Sequence, residues 1–167
     1  VKAAHGSFYI AQMLSHQSCL DAGVLEELKD HSKTAVSFEA VRGKVFDRLS
    51  RTFMQRTIKF CRGTKFQRAG RAPYLRLLHL LAQSEDWSIN TDQVIAANPS
   101  LSGSITQVVE KGYLEGLLLS DEELSAVLHF DASNRMLSVE DPQYIYFLRT
   151  IAGSKFPAEV GFLSIDL

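Results

Sequence analysis

The sequence predicts a mainly helical chain: a helical bundle, then a second module of three helices, a short β-hairpin and a final helix. Three observations lead there. Apolar residues recur at steps of three and four over most of the length. Helix-capping residues and Gly or Pro divide that pattern into separate segments. Partial apolar alternation, the mark of strands, is confined to one stretch between Leu128 and Val139. At 167 residues, 46% hydrophobic and 22% charged, the chain can bury a core without disulfide or metal staples.

Ser7 precedes Phe8, Tyr9, Ile10, Met13 and Leu14, and the run ends near Gly23, so a first helix is capped by a serine and stopped by a glycine. Val24 to His31 reads as a short second helix. Phe38, Val41, Val45, Leu49 and Phe53 form one apolar stripe on a long helix. Gly63, Gly70 and Pro73 bracket a basic connector, Arg62 to Arg71, which divides the chain into 1–62, a connector at 63–72, and 73–167. Pro73 suits the first turn of a helix running to Gln83, with Leu77, Leu78 and Leu81 buried. Thr91 and Asp92 start a short helix that Pro99 terminates, and Ser102 or Gly103 starts a third with Ile105, Val108 and Val109 facing inward. Ser120 and Glu123 have capping-box spacing and open a short helix through Val127. Leu128 to Asp131 and Arg135 to Val139 are strands around the turn formers Ala132, Ser133 and Asn134. Asp141 and Pro142 start the last helix, with Tyr144, Ile145, Phe147, Leu148 and Ile151 as its core residues. Three helices followed by a hairpin is the winged-helix order, so 73–167 is expected to be winged-helix-like.

The net charge of −1 conceals a strong asymmetry. Between Arg42 and Arg76 stand eleven basic residues, Arg42, Lys44, Arg48, Arg51, Arg56, Lys59, Arg62, Lys65, Arg68, Arg71 and Arg76, against the single acid Asp47. Such a field attracts nucleic acid, an anionic membrane or an acidic partner, and the acidic remainder of the chain can equally neutralise it. No apolar run approaches the ~18 residues of a membrane span. Cys19 and Cys61 stand far apart without metal-ligand spacing, which fits a reducing cytoplasm. The N-terminal stretch lacks a signal-peptide pattern and begins at Val1, so the chain is read as a fragment of a longer protein.

The motifs of common enzyme chemistry are missing. No Gly-x-x-x-x-Gly-Lys-Ser/Thr loop cradles phosphates, no His-Glu-x-x-His pair places two metal ligands on one helical face, and no Gly-x-Ser-x-Gly elbow exposes a serine. His5, His16, His31, His79 and His129 are scattered and read as surface or packing residues. Glu122 with Glu123, and Glu140 with Asp141, read as caps and dipole partners at helix starts rather than as acid and base. No catalytic residue, metal ligand or cofactor is assigned to this fragment.

The helix from Gly103 to Tyr113 has a possible second use. Ser104, Thr106, Gln107 and Lys111 carry donors and acceptors suited to base edges, although Glu110 beside them repels phosphate. With Arg42, Lys44, Arg48, Arg51, Arg56, Lys59, Arg62, Lys65, Arg68 and Arg71 gripping the backbone, they would make a nucleic-acid-binding module. Packing within a larger assembly is the competing reading, and the one favoured, because the positive charge lies away from that helix.

With these segments in hand, the chain resembles the region after the nucleotide-binding core in signal-transduction ATPases of the AAA/STAND type, where a helical lid precedes a winged helix. The opening AHGSFYIAQMLSHQSC looks like a lid helix, GRAPYLRLLHLLAQSEDW like the first winged-helix segment, and LHFDASNRMLSVEDPQYIYFLR like a wing running into the final helix. The resemblance implies a regulatory region that couples nucleotide state to assembly or effector output. It also implies ATP and Mg held by the parent protein's ATPase core, that core as partner, a homo-oligomer in the parent, and no membrane partner. His5, Ser7 and Asp141 would then lie on the nucleotide side. The core with its phosphate loop and acidic metal-binding residue is not in this sequence.

Overall fold

A computed structural model describes residues 4, 6–27, 33, 35–64, 72–152 and 156–160. Its elements are α1 (Phe8–Asp21), α2 (Phe38–Arg62), α3 (Pro73–Gln83), β1 (Ser88–Asn90), α4 (Thr91–Ala97), α5 (Pro99–Glu110), α6 (Tyr113–Leu119), α7 (Glu122–Ser125), β2 (Leu128–Asp131), β3 (Met136–Val139), α8 (Pro142–Ile151) and α9 (Phe156–Glu159). The protein is mainly helical with one small antiparallel sheet, as the sequence predicts. Among the described residues no helix is long and apolar enough to cross a membrane.

Ser7 caps α1, its hydroxyl accepting from the Ile10 N–H at 3.3 Å. After Gly23, which adopts a positive φ, Val24 to Glu27 run without helix. The short helix expected over Val24 to His31 is therefore not formed in its first half, and 28–32 lie outside the described residues. One turn without a cap and followed by few apolar residues cannot offset the cost of helix nucleation. The long helix α2 forms as its stripe requires: Val41, Val45, Leu49 and Phe53 are buried, and the stripe continues through Thr57, Phe60 and Cys61. Phe38 is the exception at 47% exposed, because it occupies the first position of the helix, beyond the reach of the core. Buried apolar residues from Ala4 and Ile10 through α2, α3 and α8 to Val160 make one cluster, so the segments on either side of the basic connector share a core.

Buried aromatic contacts join α2 to α8. Phe53 lies 5.3 Å from Tyr144 and 5.9 Å from Phe147, and Phe46 stacks on Phe147 at 5.8 Å. The hydroxyl of Thr57 donates to the Phe53 carbonyl at 2.9 Å and lies 3.1 Å from the Tyr144 hydroxyl, which satisfies two polar groups inside an apolar region. Arg149 crosses from α8 to the end of α3, donating to the carbonyls of Ser84 at 2.6 Å and Glu85 at 3.2 Å, where a helix C-terminus welcomes a cation.

The sheet has the order β1-β3-β2 with antiparallel neighbours, Leu128 opposite Val139 and Ser88 opposite Ser138. β1 is too short to show a period in the sequence. Its place is fixed by long-range bonds: the Val139 N–H donates to the Trp87 carbonyl, and the N–H and hydroxyl of buried Thr91 both donate to the Arg135 carbonyl. Several helix starts depart from their expected positions. α4 is capped by Asn90, whose side-chain oxygen accepts from the N–H groups of Asp92 and Gln93, and not by Thr91 or Asp92. α4 ends before Pro99, as expected, but Pro99 also begins α5, so that helix starts ahead of Ser102 and Gly103. Asp121, not Ser120, caps α7, which ends at Ser125 and not Val127, and the Ser120 hydroxyl instead donates back to the Leu117 carbonyl at the end of α6. β3 begins at Met136, since Arg135 takes a positive φ in the turn.

Asp131 organises that turn. Its carboxylate accepts from the Ser133 N–H and hydroxyl and from the Asn134 N–H and side-chain amide. These bonds to the charged form, the Ser133 hydroxyl first, hold its carboxyl down at about 2. A depressed folded value contributes stability that is present above the unfolded carboxylate range and lost as pH falls through the folded value. We expect Asp131→Asn to lower the melting temperature at neutral pH and to flatten its decline between about pH 5 and pH 2. Parallel melts of both proteins across that range check this; equal acid slopes would remove Asp131 from the acid response.

Candidate functional site

The basic residues of α2 meet different fates, because only those near an acidic element of the fold find a carboxylate. Lys44 binds Asp21 at the end of α1 at 2.6 Å. Lys59 pairs with Asp121, the α7 cap, and lies 3.9 Å from Glu123. The Lys44 ammonium holds the Asp21 carboxyl below its usual range, and Lys59 does the same to Asp121, whose charge in turn raises the Lys59 pKa. Arg42 lies 3.2 Å from Glu39 and also faces the buried Tyr146 hydroxyl; the hydroxyl first and the carboxylate second raise its pKa. Arg56 lays its guanidinium over the Phe53 ring, 5.9 Å from the centroid. Arg48 and Arg51 are exposed and, among the described residues, have no carboxylate within 4.0 Å. Arg62 is exposed at the helix end, and Arg76 is half-buried on α3. Lys65, Arg68 and Arg71 lie outside the described residues, as does His5. The acidic remainder of the chain thus meets part of the basic segment and leaves the middle of α2 facing solvent.

Gln107 and Glu110 on α5 and Lys111 at its C-cap are exposed. Ser104 and Thr106, expected to be exposed, are half-buried beside buried Ile105. α5 packs on α3, α4 and α6, while α2 packs on α1, α3, α7 and α8. α3 therefore carries both helices, and the charged middle of α2 and the polar positions of α5 belong to different packing neighbourhoods. Ser7 and Asp141 each serve as a helix cap, Asp141 accepting from the Gln143 N–H at 2.8 Å.

The described residues line clefts on the surface, of which two bear on function. One, of about 260 Å³, runs between α1 and α2 and is lined by Tyr9, Gln12, Met13, His16, Gln17, Lys44, Val45 and Arg48. The other, of about 370 Å³, lies between α6 and β2, beside Leu119, which is 79% exposed. The sequence reading treated His16 as an isolated surface residue; its offsets of seven from Tyr9 and four from Gln12 were the available signal. Among the described residues no three His, Cys, Asp or Glu side chains gather as a metal set. Burial pushes the Cys61 thiol up, which suppresses thiolate formation. Burial also lowers the pKa of His79, whose ring stacks on Phe156 at 5.6 Å. Comparison with known protein families, curated sequences and solved structures finds no match.

Proposed function

We propose that the chain is a non-catalytic regulatory and interaction region of a larger nucleotide-dependent signalling ATPase. In this reading α1 and α2 form a lid-like helical pair, and α3 to α8 form a winged-helix-like module that couples nucleotide state to assembly or effector output. The observation that carries it is the order of the sheet. A strand that follows the first helix of the module pairs with the last strand of the hairpin, giving β1-β3-β2 around the α3, α4 and α5 helices. That order supports a winged-helix reading in which α6 and α7 are inserted before the hairpin. In the same reading the parent's ATPase core is the partner, ATP and Mg belong to that core, the parent assembles as a homo-oligomer, and the protein works in the cytoplasm. His5, Ser7 and Asp141 are then the residues nearest the nucleotide. Ser7 and Asp141 would act through the helix starts they cap, since both side-chain oxygens already accept backbone N–H groups.

Exposed Arg48 and Arg51 favour one alternative, a nucleic-acid-binding module that uses α2 for phosphates and Gln107 and Lys111 for bases. Anisotropy of a labelled random DNA duplex, titrated with the chain at low and near-physiological salt, separates the two. The interaction-region reading expects no saturable binding at either salt. Micromolar binding at low salt that weakens roughly 10³-fold when salt rises about fourfold would replace it with the nucleic-acid reading.

A further inference from the structure

The cleft between α1 and α2 has a composition that a lid-like pair does not require. Its α1 wall, Tyr9, Gln12, Met13, His16 and Gln17, is a single helical face. Its α2 wall is Lys44, Val45 and Arg48, and among the described residues that line the cleft there is no carboxylate. Lys44 is already paired with Asp21, which leaves exposed Arg48 as the cation without a carboxylate among the described residues. Met13 is half-buried and Val45 buried, so the apolar part of the cleft is recessed while the charge stands at its mouth. Beside the cleft, Phe8 is 82% exposed, and Tyr9 of the cleft wall is itself 48% exposed, so α1 carries apolar surface outward. A small apolar floor at Met13 and Val45 within a mainly polar lining, a flanking cation and an apolar margin complement an amphipathic segment that bears carboxylates. A nucleic-acid backbone would instead draw on several free cations, and one of the two here is spent on Asp21.

We propose that this cleft docks an acidic amphipathic helix of a partner protein, with an apolar side chain entering between Met13 and Val45 and a carboxylate meeting Arg48. The proposal rests on the interaction-region reading above and names the partner chemistry of one of its surfaces. The probe is a fluorescein-labelled peptide of about 16 residues, long enough for appreciable helix, with leucine at i, i+3, i+4 and i+7 and glutamate and alanine elsewhere. Titrated with the full chain at near-physiological salt, it should bind saturably. Arg48→Glu and Met13→Gln should each weaken binding about tenfold, as should glutamine in place of the peptide's glutamates. Arg51→Glu, on α2 but outside the cleft, should change it by no more than about twofold. Circular dichroism melts establish that each variant is folded, and exposed Arg48 keeps the test independent of any loss of packing at Met13. Absence of saturable binding, equal weakening by Arg48→Glu and Arg51→Glu, or equal binding of the glutamine peptide would each overturn the proposal. So would a DNA duplex that displaces the peptide and itself depends on Arg48. Failure of the peptide leaves the interaction-region reading in place, whereas salt-dependent duplex binding that is indifferent to Arg48→Glu sinks that reading and spares the cleft.

Discussion

Gly63→Ala should destabilise the protein by about 2–6 kcal/mol and lower its melting temperature by roughly 4–24 °C. Gly63 closes α2, its N–H donating to the carbonyls of Lys59 at 3.2 Å and Phe60 at 3.0 Å. To do so it adopts φ 63° and ψ −164°, a region that is essentially glycine's alone and costs other residues about 1–3 kcal/mol. A Cβ at this position would overlap Cε2 and Cδ2 of the Tyr74 ring. That ring cannot yield cheaply, because Tyr74 is buried and stands edge-on to buried Phe60 at 5.7 Å. Relieving the overlap means moving α3 against α2, an overpacking cost of about 1–3 kcal/mol that adds to the backbone strain. Gly103 is the control: it lies within α5, a Cβ there meets nothing within 4 Å, and Gly103→Ala should be neutral or stabilising by up to about 1 kcal/mol. Chemical denaturation of the three proteins reads both effects, and a Gly63→Ala loss below about 1 kcal/mol would mean that Tyr74 moves freely.

The parts of the fold legible in the sequence are those governed by local chemistry. Ser7 before an apolar run, Asp141 with Pro142, Pro73 before a leucine stripe and Asp131 before Ser133 and Asn134 each satisfy their backbone within a few residues, and each stands where it was expected. The misplaced starts share a different cause. Asn90 and Asp121 each lie beside another residue with comparable capping chemistry, and tertiary contacts accompany the choice: the Thr91 side chain is drawn to Arg135, and the Asp121 carboxylate to Lys59. β1 was illegible because three residues show no period and its partner lies more than forty positions away. α6 was passed over because it begins directly after Gly112, which serves at once as the end of α5 and the left-handed entry to α6. The basic segment was legible as a quantity but not as a surface. Its cations acquire different roles only when Asp21 and Asp121 are folded against Lys44 and Lys59, and that division, not the total charge, is what leaves Arg48 at the mouth of a cleft.

Phe53→Ala should cost about 3–5 kcal/mol, and the way the loss is distributed matters as much as its size. Phe53 is buried on α2, between Tyr144 and Phe147 of α8, and Arg56 covers its ring from the outer side. Removing the ring opens a void in a region where α8 is held by aromatic contact and by the Thr57–Tyr144 hydroxyl pair, neither of which can refill it. A melting temperature roughly 6–20 °C lower follows for a chain of this length. Because α2, α3 and α8 share one cluster of buried residues, the variant should still unfold in a single transition, with amide protection in α8 falling together with that in α2. Two separated transitions, with 73–152 retaining its protection while α2 exchanges, would instead establish that the module after the connector folds by itself and that α2 is docked on it. Phe38→Ala provides the scale at the other end, since a side chain 47% exposed at the helix start should lose less than about 1 kcal/mol. The contrast between two phenylalanines on the same helix tests the assignment of its buried face directly: that face must keep Phe53 and Phe60 inside if Arg48 is to remain at the surface.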